Sequence, residues 1–120
     1  MSDSILNIYY RETLDKIDSY EEYLSSMNIT LDTQLWEKSL LANNKRAYQE
    51  YLNEYPKGIY RKKAIDSIEF INDKKAWEKA QKHNTENSYV KYLKDYDNAT
   101  YSDEAKKRIN KFIRLKQKKY

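Results

Sequence analysis

Few side chains in this sequence belong to the types that carry catalysis or bind metals. His83 is the single histidine, cysteine is absent, and glycine and proline occur once each among 120 residues. One histidine cannot form the paired-histidine motif of zinc proteases, and one glycine cannot build a phosphate-binding loop. The acidic pairs Glu21–Glu22 and Asp103–Glu104 are adjacent in sequence, and we interpret them as solvated charge. We therefore predict no enzymatic activity, no metal and no cofactor, with His83 as a solvated or capping residue.

The best candidate for a binding site is a group of cations near the end of the chain. Residues 105–120 contain eight Lys or Arg and no acid, whereas residues 1–35 contain seven acids and two bases. Four of the cations recur at i, i+1, i+4 and i+7, on one side of a helix. The first interpretation is a solvated last helix whose late cations match the helix dipole. As a binding site, the group is predicted to face an acidic protein, residues 1–35 of another copy, or nucleic acid, and after these an anionic membrane surface. This basic cluster consists of Lys107, Arg108, Lys111 and Arg114.

Outside the basic cluster, the chain contains one pattern of mainly apolar residues twice, 41 positions apart. The chain is polar, with a mean hydropathy of −1.11, but its 13 Tyr, 2 Trp and 2 Phe supply large apolar bodies. A disordered chain has no reason to keep such residues in register, whereas stacked helical units do. The matched pairs are Trp36 and Trp77, Asn43 and Asn84, Tyr48 and Tyr89, Tyr51 and Tyr92, Leu52 and Leu93, Tyr55 and Tyr96, Tyr60 and Tyr101, Ala64 and Ala105, and Ile68 and Ile109.

The residue pattern of each copy predicts two helices joined by a turn. Apolar residues at 3.6-residue spacing predict the first helix of each copy, after a cap at Asn44 or Thr85. Pro56-Lys57-Gly58 ends that helix in the first copy, and Asp97-Asn98-Ala99 takes this place in the second. In the helix after the first turn, Asn72-Asp73 either ends the helix, caps the next one, or lies within one continuous helix.

The first third of the chain is predicted to be a degenerate copy. Residues 19–24 resemble residues 47–52 but precede them by 28 positions instead of 41. Apolar residues over 5–17 predict an opening helix, and the shortened remainder predicts a separate short helix over residues 31–42. An atypical first repeat is typical of a capping unit. The predicted division is a degenerate capping repeat over 1–35, a first repeat over 36–76, and a second repeat with the basic last helix over 77–120.

The repeated pattern, W-x-x-[AS], then N, then [AS]-Y-x-x-Y-L-x-x-Y-P-x-G-x-Y-x-x-x-A-x-x-x-I, resembles the tetratricopeptide-like (TPR-like) repeats of bacterial proteins. The resemblance implies an all-α fold: a short right-handed α-α superhelix of about two and a half helical hairpins that binds protein along a concave face. The period departs from the roughly 34 residues of tetratricopeptide units, and the second copy lacks both Pro and Gly. The matching residues of the first copy are Trp36, Ala47, Tyr48, Tyr51, Leu52, Tyr55, Pro56, Gly58, Tyr60, Ala64 and Ile68.

These observations favour a non-enzymatic protein–protein interaction module, an adaptor or scaffold whose protein partner the sequence does not identify. One alternative is a nucleic-acid-binding protein that uses the basic last helix. The other is a self-assembling structural protein, a homo-oligomer in which the acidic head of one copy meets the basic tail of the next. Tyrosines stack on bases in nucleic-acid grooves, but here they recur beside Leu and Ala at helical spacing, which predicts a core.

The sequence also bears on location. The first residues lack the basic start and apolar run of a secretory signal peptide. No stretch approaches the roughly 18–20 apolar residues that a membrane span needs. We therefore predict a cytoplasmic protein without a membrane span, and the resemblance to TPR-like repeats implies a bacterial one.

Overall fold

The computed structural model of the chain describes residues 2–118, which form five α-helices and, over that range, no strand. The predicted all-α class is confirmed. Its cause is the composition, because a chain with one Gly and one Pro has few points at which a helix must end. The helices are α1 (Ser2–Ala42), α2 (Lys45–Glu54), α3 (Arg61–His83), α4 (Glu86–Asp95) and α5 (Ser102–Lys118).

Helix α1 is continuous over 41 residues. The prediction of an opening helix followed by a separate short helix over residues 31–42 is therefore wrong. The reason is local, because neither Gly nor Pro precedes Pro56. Thr30, at the expected break, donates its hydroxyl hydrogen to the carbonyl oxygen of Ser26 at 2.9 Å. This bond satisfies the hydroxyl within the helix instead of starting a turn.

Helices α2 and α4 begin at the two predicted caps. The side-chain oxygen of Asn44 accepts a backbone N–H of the first turn of α2 at 2.8 Å. Thr85 and Ser88 bond each other's backbone N–H reciprocally, both at 3.0 Å, and so form a capping box. The residues before these caps, Asn43 and Asn84, have φ values of 46° and 48°. Asn tolerates this left-handed conformation, which closes the preceding helix and reverses the chain.

The chain divides into two compact units, of which unit 1 ends at Ala64 and unit 2 begins at Ile65. The boundary lies inside α3. Because α3 runs without a break from Arg61 to His83, Asn72-Asp73 belongs to one continuous helix. This is one of the three arrangements that the sequence left open. The predicted division into residues 1–35, 36–76 and 77–120 stays a prediction.

Each unit has a small interior built mainly from aromatic rings. In both units the repeated Trp and two of the repeated Tyr are buried, as the in-register spacing predicts. The repeated Ala of the following helix is also buried, because its small side chain lets the helix approach the rings. The buried residues are Asp32, Trp36, Ser39, Tyr48, Tyr51 and Ala64 in unit 1, and Asp73, Trp77, Ala80, Tyr89, Tyr92, Ser102 and Ala105 in unit 2.

The turn after α2 requires a glycine for space. A Cβ atom built on Gly58 would overlap the hydroxyl oxygen of Tyr51 and lie 2.8 Å from Cβ of Tyr55. We expect Gly58→Ala to lower the free energy of unfolding by about 1–3 kcal/mol, as overpacking does, in urea denaturation followed by circular dichroism. Ala99→Gly, at the corresponding position of unit 2, is the control and should cost less than about 1 kcal/mol. An unchanged Gly58→Ala variant would contradict the packing of this turn.

The corresponding turn of unit 2 is closed without Pro or Gly. Asn98 has a φ of 75° and supplies the left-handed residue. The hydroxyl of Ser102 accepts the N–H of Ala99 at 2.7 Å and donates to the carbonyl oxygen of Tyr96 at 2.5 Å. These bonds fasten the turn between α4 and α5, which explains how the second copy dispenses with Pro-x-Gly.

Candidate functional site

A group of one Asp, one Trp and two Tyr lies at the centre of unit 1, and all are buried except Tyr60, which is half-buried. The ring of Trp36 stacks on Tyr60, with centroids 5.3 Å apart and 4° between the planes, and meets Tyr51 edge-on at 5.3 Å. The Tyr51 hydroxyl donates to Oδ1 of Asp32 at 2.5 Å, and Oδ2 of Asp32 accepts the N–H of Ile59 at 3.0 Å. The carboxylate therefore ties α1 to α2 and to the turn after it.

The same arrangement recurs in unit 2, 41 positions later. Trp77 stacks on Tyr101, with centroids 5.4 Å apart and 4° between the planes, and meets Tyr92 edge-on at 5.3 Å. The Tyr92 hydroxyl donates to Oδ1 of Asp73, and Oδ2 of Asp73 accepts the N–H of Thr100 at 3.3 Å. The two units thus share the order of the rings, their spacing and their hydrogen bonds.

A buried carboxylate beside a phenol has the components of an acid–base pair, but here both groups are engaged by the fold. Each carboxylate accepts hydrogen bonds on both oxygens, and the Tyr51 oxygen also accepts the N–H of Tyr60 at 3.0 Å. Burial, and then the hydrogen bond to Asp32, raises the pKa of Tyr51 to about 12. Burial and Asp73 raise the pKa of Tyr92 in the same way. Both phenols therefore stay protonated at neutral pH and act as hydrogen-bond donors.

The burial of Asp32 and Asp73 was not predicted from the sequence. By composition Asp32 belongs to the acidic residues 1–35, yet the structure buries it. A signal was present, because Asp32 and Asp73 obey the offset of 41 and each lies four residues before the repeated Trp. An acid in a polar helix ordinarily faces water, so only the repeat distinguishes these two from the surrounding charges.

The raised pKa of Tyr51 implies a loss of stability at alkaline pH. An unfolded tyrosine ionises near pH 10, whereas folded Tyr51 keeps its proton until about pH 12. Because the folded pKa is the higher one, the phenol's contribution is complete below pH 10 and declines as the pH rises from 10 towards 12. We expect the free energy of unfolding, from urea denaturation at fixed pH, to fall less steeply in Tyr51→Phe than in the wild type. The exposed Tyr23→Phe is the control, and equal slopes in all three proteins would contradict the assignment.

All four residues of the basic cluster line one open cleft in unit 2. We call it the α5 cleft; it has a volume of about 680 Å³ and follows one side of α5. The spacing along the helix predicted this common side, and the structure adds that apolar side chains share it. The lining residues are Asn84, Glu104, Lys107, Arg108, Lys111, Phe112, Arg114 and Leu115.

Arg108 differs from the other three cations, because it packs against the interior of unit 2. Its guanidinium carbon lies 5.2 Å from the ring centroid of Trp77 and 5.5 Å from that of Tyr89. It donates to the Tyr89 hydroxyl at 3.0 Å and pairs with Glu104 at 3.4 Å. The hydrogen bond to Tyr89 is the main cause of the raised pKa of Arg108. Arg108 therefore adds charge to the cleft wall but is held in place by cation–π contacts and hydrogen bonds.

The remaining cations of the basic cluster are available to a ligand. Lys107, Lys111 and Arg114 are exposed, and within residues 2–118 none of them forms an ion pair or a hydrogen bond through its side chain. Phe112 is half-buried and Leu115 is exposed in the same cleft. The cleft thus surrounds an apolar floor with three unpaired positive charges.

A second cleft, of about 410 Å³, lies along α3 and α4 and includes His83, the exposed last residue of α3. Lys79, Lys91 and Asp95 line it as well.

The part of the chain that the structure describes holds no group of three or more His, Cys, Asp or Glu side chains placed to bind a metal. None of its helices combines the length and the apolar character needed to cross a membrane. Comparison of the chain with protein-family models, with curated proteins and with solved structures found no match in any of the three.

Proposed function

We propose that the protein is a non-enzymatic protein-interaction module that holds an acidic segment of another protein in the α5 cleft. The observation that carries this proposal is the set of unpaired cations, Lys107, Lys111 and Arg114, around the side chains of Phe112 and Leu115. A peptide with carboxylates and apolar side chains matches both features, because charge complementarity orients it and the apolar floor excludes water from the contact.

Nucleic acid is the weaker candidate for this cleft. Phosphates match the three cations, but the apolar floor then has no counterpart unless bases stack on Phe112. Four of the repeated tyrosines are buried and are therefore not available for stacking: Tyr48, Tyr51, Tyr89 and Tyr92. A nucleic-acid ligand is therefore one outcome of the test below.

The TPR-like scaffold is part of the same proposal. Its support is the repetition of one ring arrangement in two units at a fixed offset, since in repeat proteins each unit uses the same residues for packing. Repeat proteins commonly leave one face of the stack for a partner. The right-handed superhelix and the role as an adaptor or scaffold in a bacterial cytoplasm belong to this proposal as well.

The test measures binding of a fluorescent peptide of glutamate with interspersed leucine by anisotropy. We expect the triple variant Lys107→Glu/Lys111→Glu/Arg114→Glu to bind it at least about tenfold more weakly than the wild type, a difference of about 1.4 kcal/mol. The control Lys74→Glu/Lys75→Glu/Lys82→Glu makes the same change in net charge at exposed positions of α3 and should bind like the wild type. A counterpart peptide with glutamine in place of glutamate should bind weakly to all three proteins.

Three results would overturn the proposal. The first is a wild-type protein that does not bind the glutamate peptide at low salt. The second is an equal loss in both triple variants, because net charge rather than the cleft would then govern binding. The third is tighter binding to duplex DNA than to the peptide, with a steep salt dependence, which would identify a nucleic-acid-binding protein.

A further inference from the structure

Most of the exposed apolar side chains of this protein lie on one stretch of α1. Among residues 3–31, Leu24 is half-buried and every other residue is exposed. Of the nineteen exposed large hydrophobic residues in the described part of the chain, twelve lie between Ile5 and Leu31. A helix derives most of its stability from packing an apolar face, and an apolar surface of this extent marks an interaction site. This stretch of α1 therefore requires a covering partner.

Seven of the thirteen large apolar residues between Ile5 and Leu31 follow a heptad repeat. Counting Tyr10 as position a, seven of the eight a and d positions are large and apolar, and none of the seven charged residues between 6 and 31 falls on them. The eighth is Thr13, whose hydroxyl donates to the carbonyl oxygen of Tyr9 at 2.9 Å, so its polar group is satisfied within the helix. A spacing of 3.5 residues is the pattern of a coiled coil. This heptad stripe consists of Leu6, Tyr10, Thr13, Ile17, Tyr20, Leu24, Met27 and Leu31.

We propose that α1 pairs through the heptad stripe with α1 of a second copy, as a parallel coiled coil. The flanking positions identify the occupant because they complement each other across a two-fold axis. In a parallel pair, position g of one helix faces position e of the next heptad in its partner. Lys16 thereby faces Glu21 of the second copy, and Tyr9 faces Leu14 of the second copy, each pairing occurring twice. In these two pairings opposite charge meets opposite charge, and an apolar side chain meets an apolar one; the next pairing along the helix sets Tyr23 opposite Asn28.

The antiparallel arrangement fits less well. When it buries the same heptad stripe, Leu14 lies beside Glu21 of the second copy, and Lys16 lies beside Tyr23 of the second copy. Both favourable pairings are then lost, and a carboxylate faces an apolar side chain. The flanking residues therefore select the parallel pair.

A basic partner would not cover the apolar face. Four of the acids in this stretch lie on positions b, c and f, on the far side of α1 from the heptad stripe. A cationic segment drawn to them would leave the heptad stripe in water. A second copy covers the heptad stripe and keeps these acids solvated. They are Glu12, Asp15, Asp18 and Glu22.

Sedimentation equilibrium of the full chain tests the pairing with two matched variants. Ile17 lies in the heptad stripe and Ile29 lies at position f, and their exposed fractions in the single chain are similar, 47% and 54%. We expect the wild type to sediment at twice its mass of 14.6 kDa at micromolar concentration. Ile17→Glu should dimerise at least about tenfold more weakly, and Ile29→Glu should dimerise like the wild type. A monomeric wild type, or equal dissociation in both variants, overturns the proposal.

Orientation is tested by cross-linking and by charge exchange. The natural chain has no cysteine, so Thr13→Cys places a single sulfur in the heptad stripe. In the parallel pair the two sulfurs share one layer, and an added oxidant that takes up two electrons joins them in a disulfide with loss of two protons, whereas in the antiparallel pair Cys replaces a Thr that faces Leu24. Lys16→Glu should weaken the dimer, and Lys16→Glu/Glu21→Lys should restore it. A dimer without a cross-link, or one that the double variant does not restore, overturns the parallel arrangement.

The heptad stripe lies on α1 in unit 1, whereas the α5 cleft lies in unit 2. Sedimentation reports on the first surface, and peptide anisotropy reports on the second. A failure of the coiled coil therefore leaves the α5 cleft proposal intact, and the reverse also holds.

Discussion

Replacing Trp77 with alanine is expected to lower the free energy of unfolding by about 3–5 kcal/mol, the range for removing a large buried aromatic ring. Trp77 is 5% exposed, stacks on Tyr101, meets Tyr92 edge-on and is covered by the guanidinium of Arg108. Its removal leaves a cavity among these three groups. Urea denaturation followed by far-ultraviolet circular dichroism measures the change.

The control for this prediction is Phe70→Ala, on the same helix. Phe70 is 52% exposed, so its removal should cost no more than about 1 kcal/mol. Trp36→Ala, in the corresponding position of unit 1, should resemble Trp77→Ala because its ring contacts are the same. Equal effects of Trp77→Ala and Phe70→Ala would mean that the repeated tryptophan does not organise the interior.

Replacing Asp73 with alanine is expected to lower the free energy of unfolding by about 2–4 kcal/mol. The Asp73 carboxylate accepts hydrogen bonds from the Tyr92 hydroxyl and from the N–H of Thr100. Without it, a buried hydroxyl loses its acceptor. Each lost bond to a charged group costs roughly 1.5–3 kcal/mol, and the sum is partly offset because the charge no longer has to be buried. Asp73→Asn keeps an acceptor oxygen without the charge and should lie between alanine and the wild type.

The matched control is Asp66→Ala, because Asp66 is an exposed carboxylate on the same helix. Surface substitutions of this kind usually change stability by no more than about 0.5 kcal/mol. The same denaturation experiment compares the two variants directly. A stabilising Asp73→Ala would show that burial of the carboxylate costs more than its hydrogen bonds return.

The parts of the fold that depend on local chemistry were predictable from the sequence. Asn44 and Thr85 cap their helices because a short polar side chain before an apolar stripe satisfies the first free N–H groups. The repeated Trp and two of the repeated Tyr in each unit are buried because rings at helical spacing share one face. The all-α class follows from the same periodicity.

The parts that depend on distant residues were not predictable in this way. The bond between Tyr51 and Asp32 joins residues 19 apart, so no local window contains the reason for burying that acid. The continuity of α1 was missed for another reason. The resemblance of residues 19–24 to residues 47–52 predicted a turn before the separate helix over residues 31–42, although no glycine or proline supports a turn there.

The candidate site was predictable in its position but not in its details. Helical spacing is enough to place Lys107, Lys111 and Arg114 on one side of α5. The separate role of Arg108 depends on Trp77 and Tyr89, which the fold brings beside it from other helices. Spacing along one helix carries no information about such neighbours.

The central claim is that the repeated aromatic residues form the interior of both units and that the α5 cleft binds an acidic partner. Amide chemical-shift mapping of the glutamate–leucine peptide on isotopically labelled protein tests it most directly. We expect shifts over residues 107–115 and at Asn84, with the amides of Asp32 and Trp36 unchanged. Shifts centred on His83 and the cleft of α3 and α4, or on the buried rings, would contradict the account.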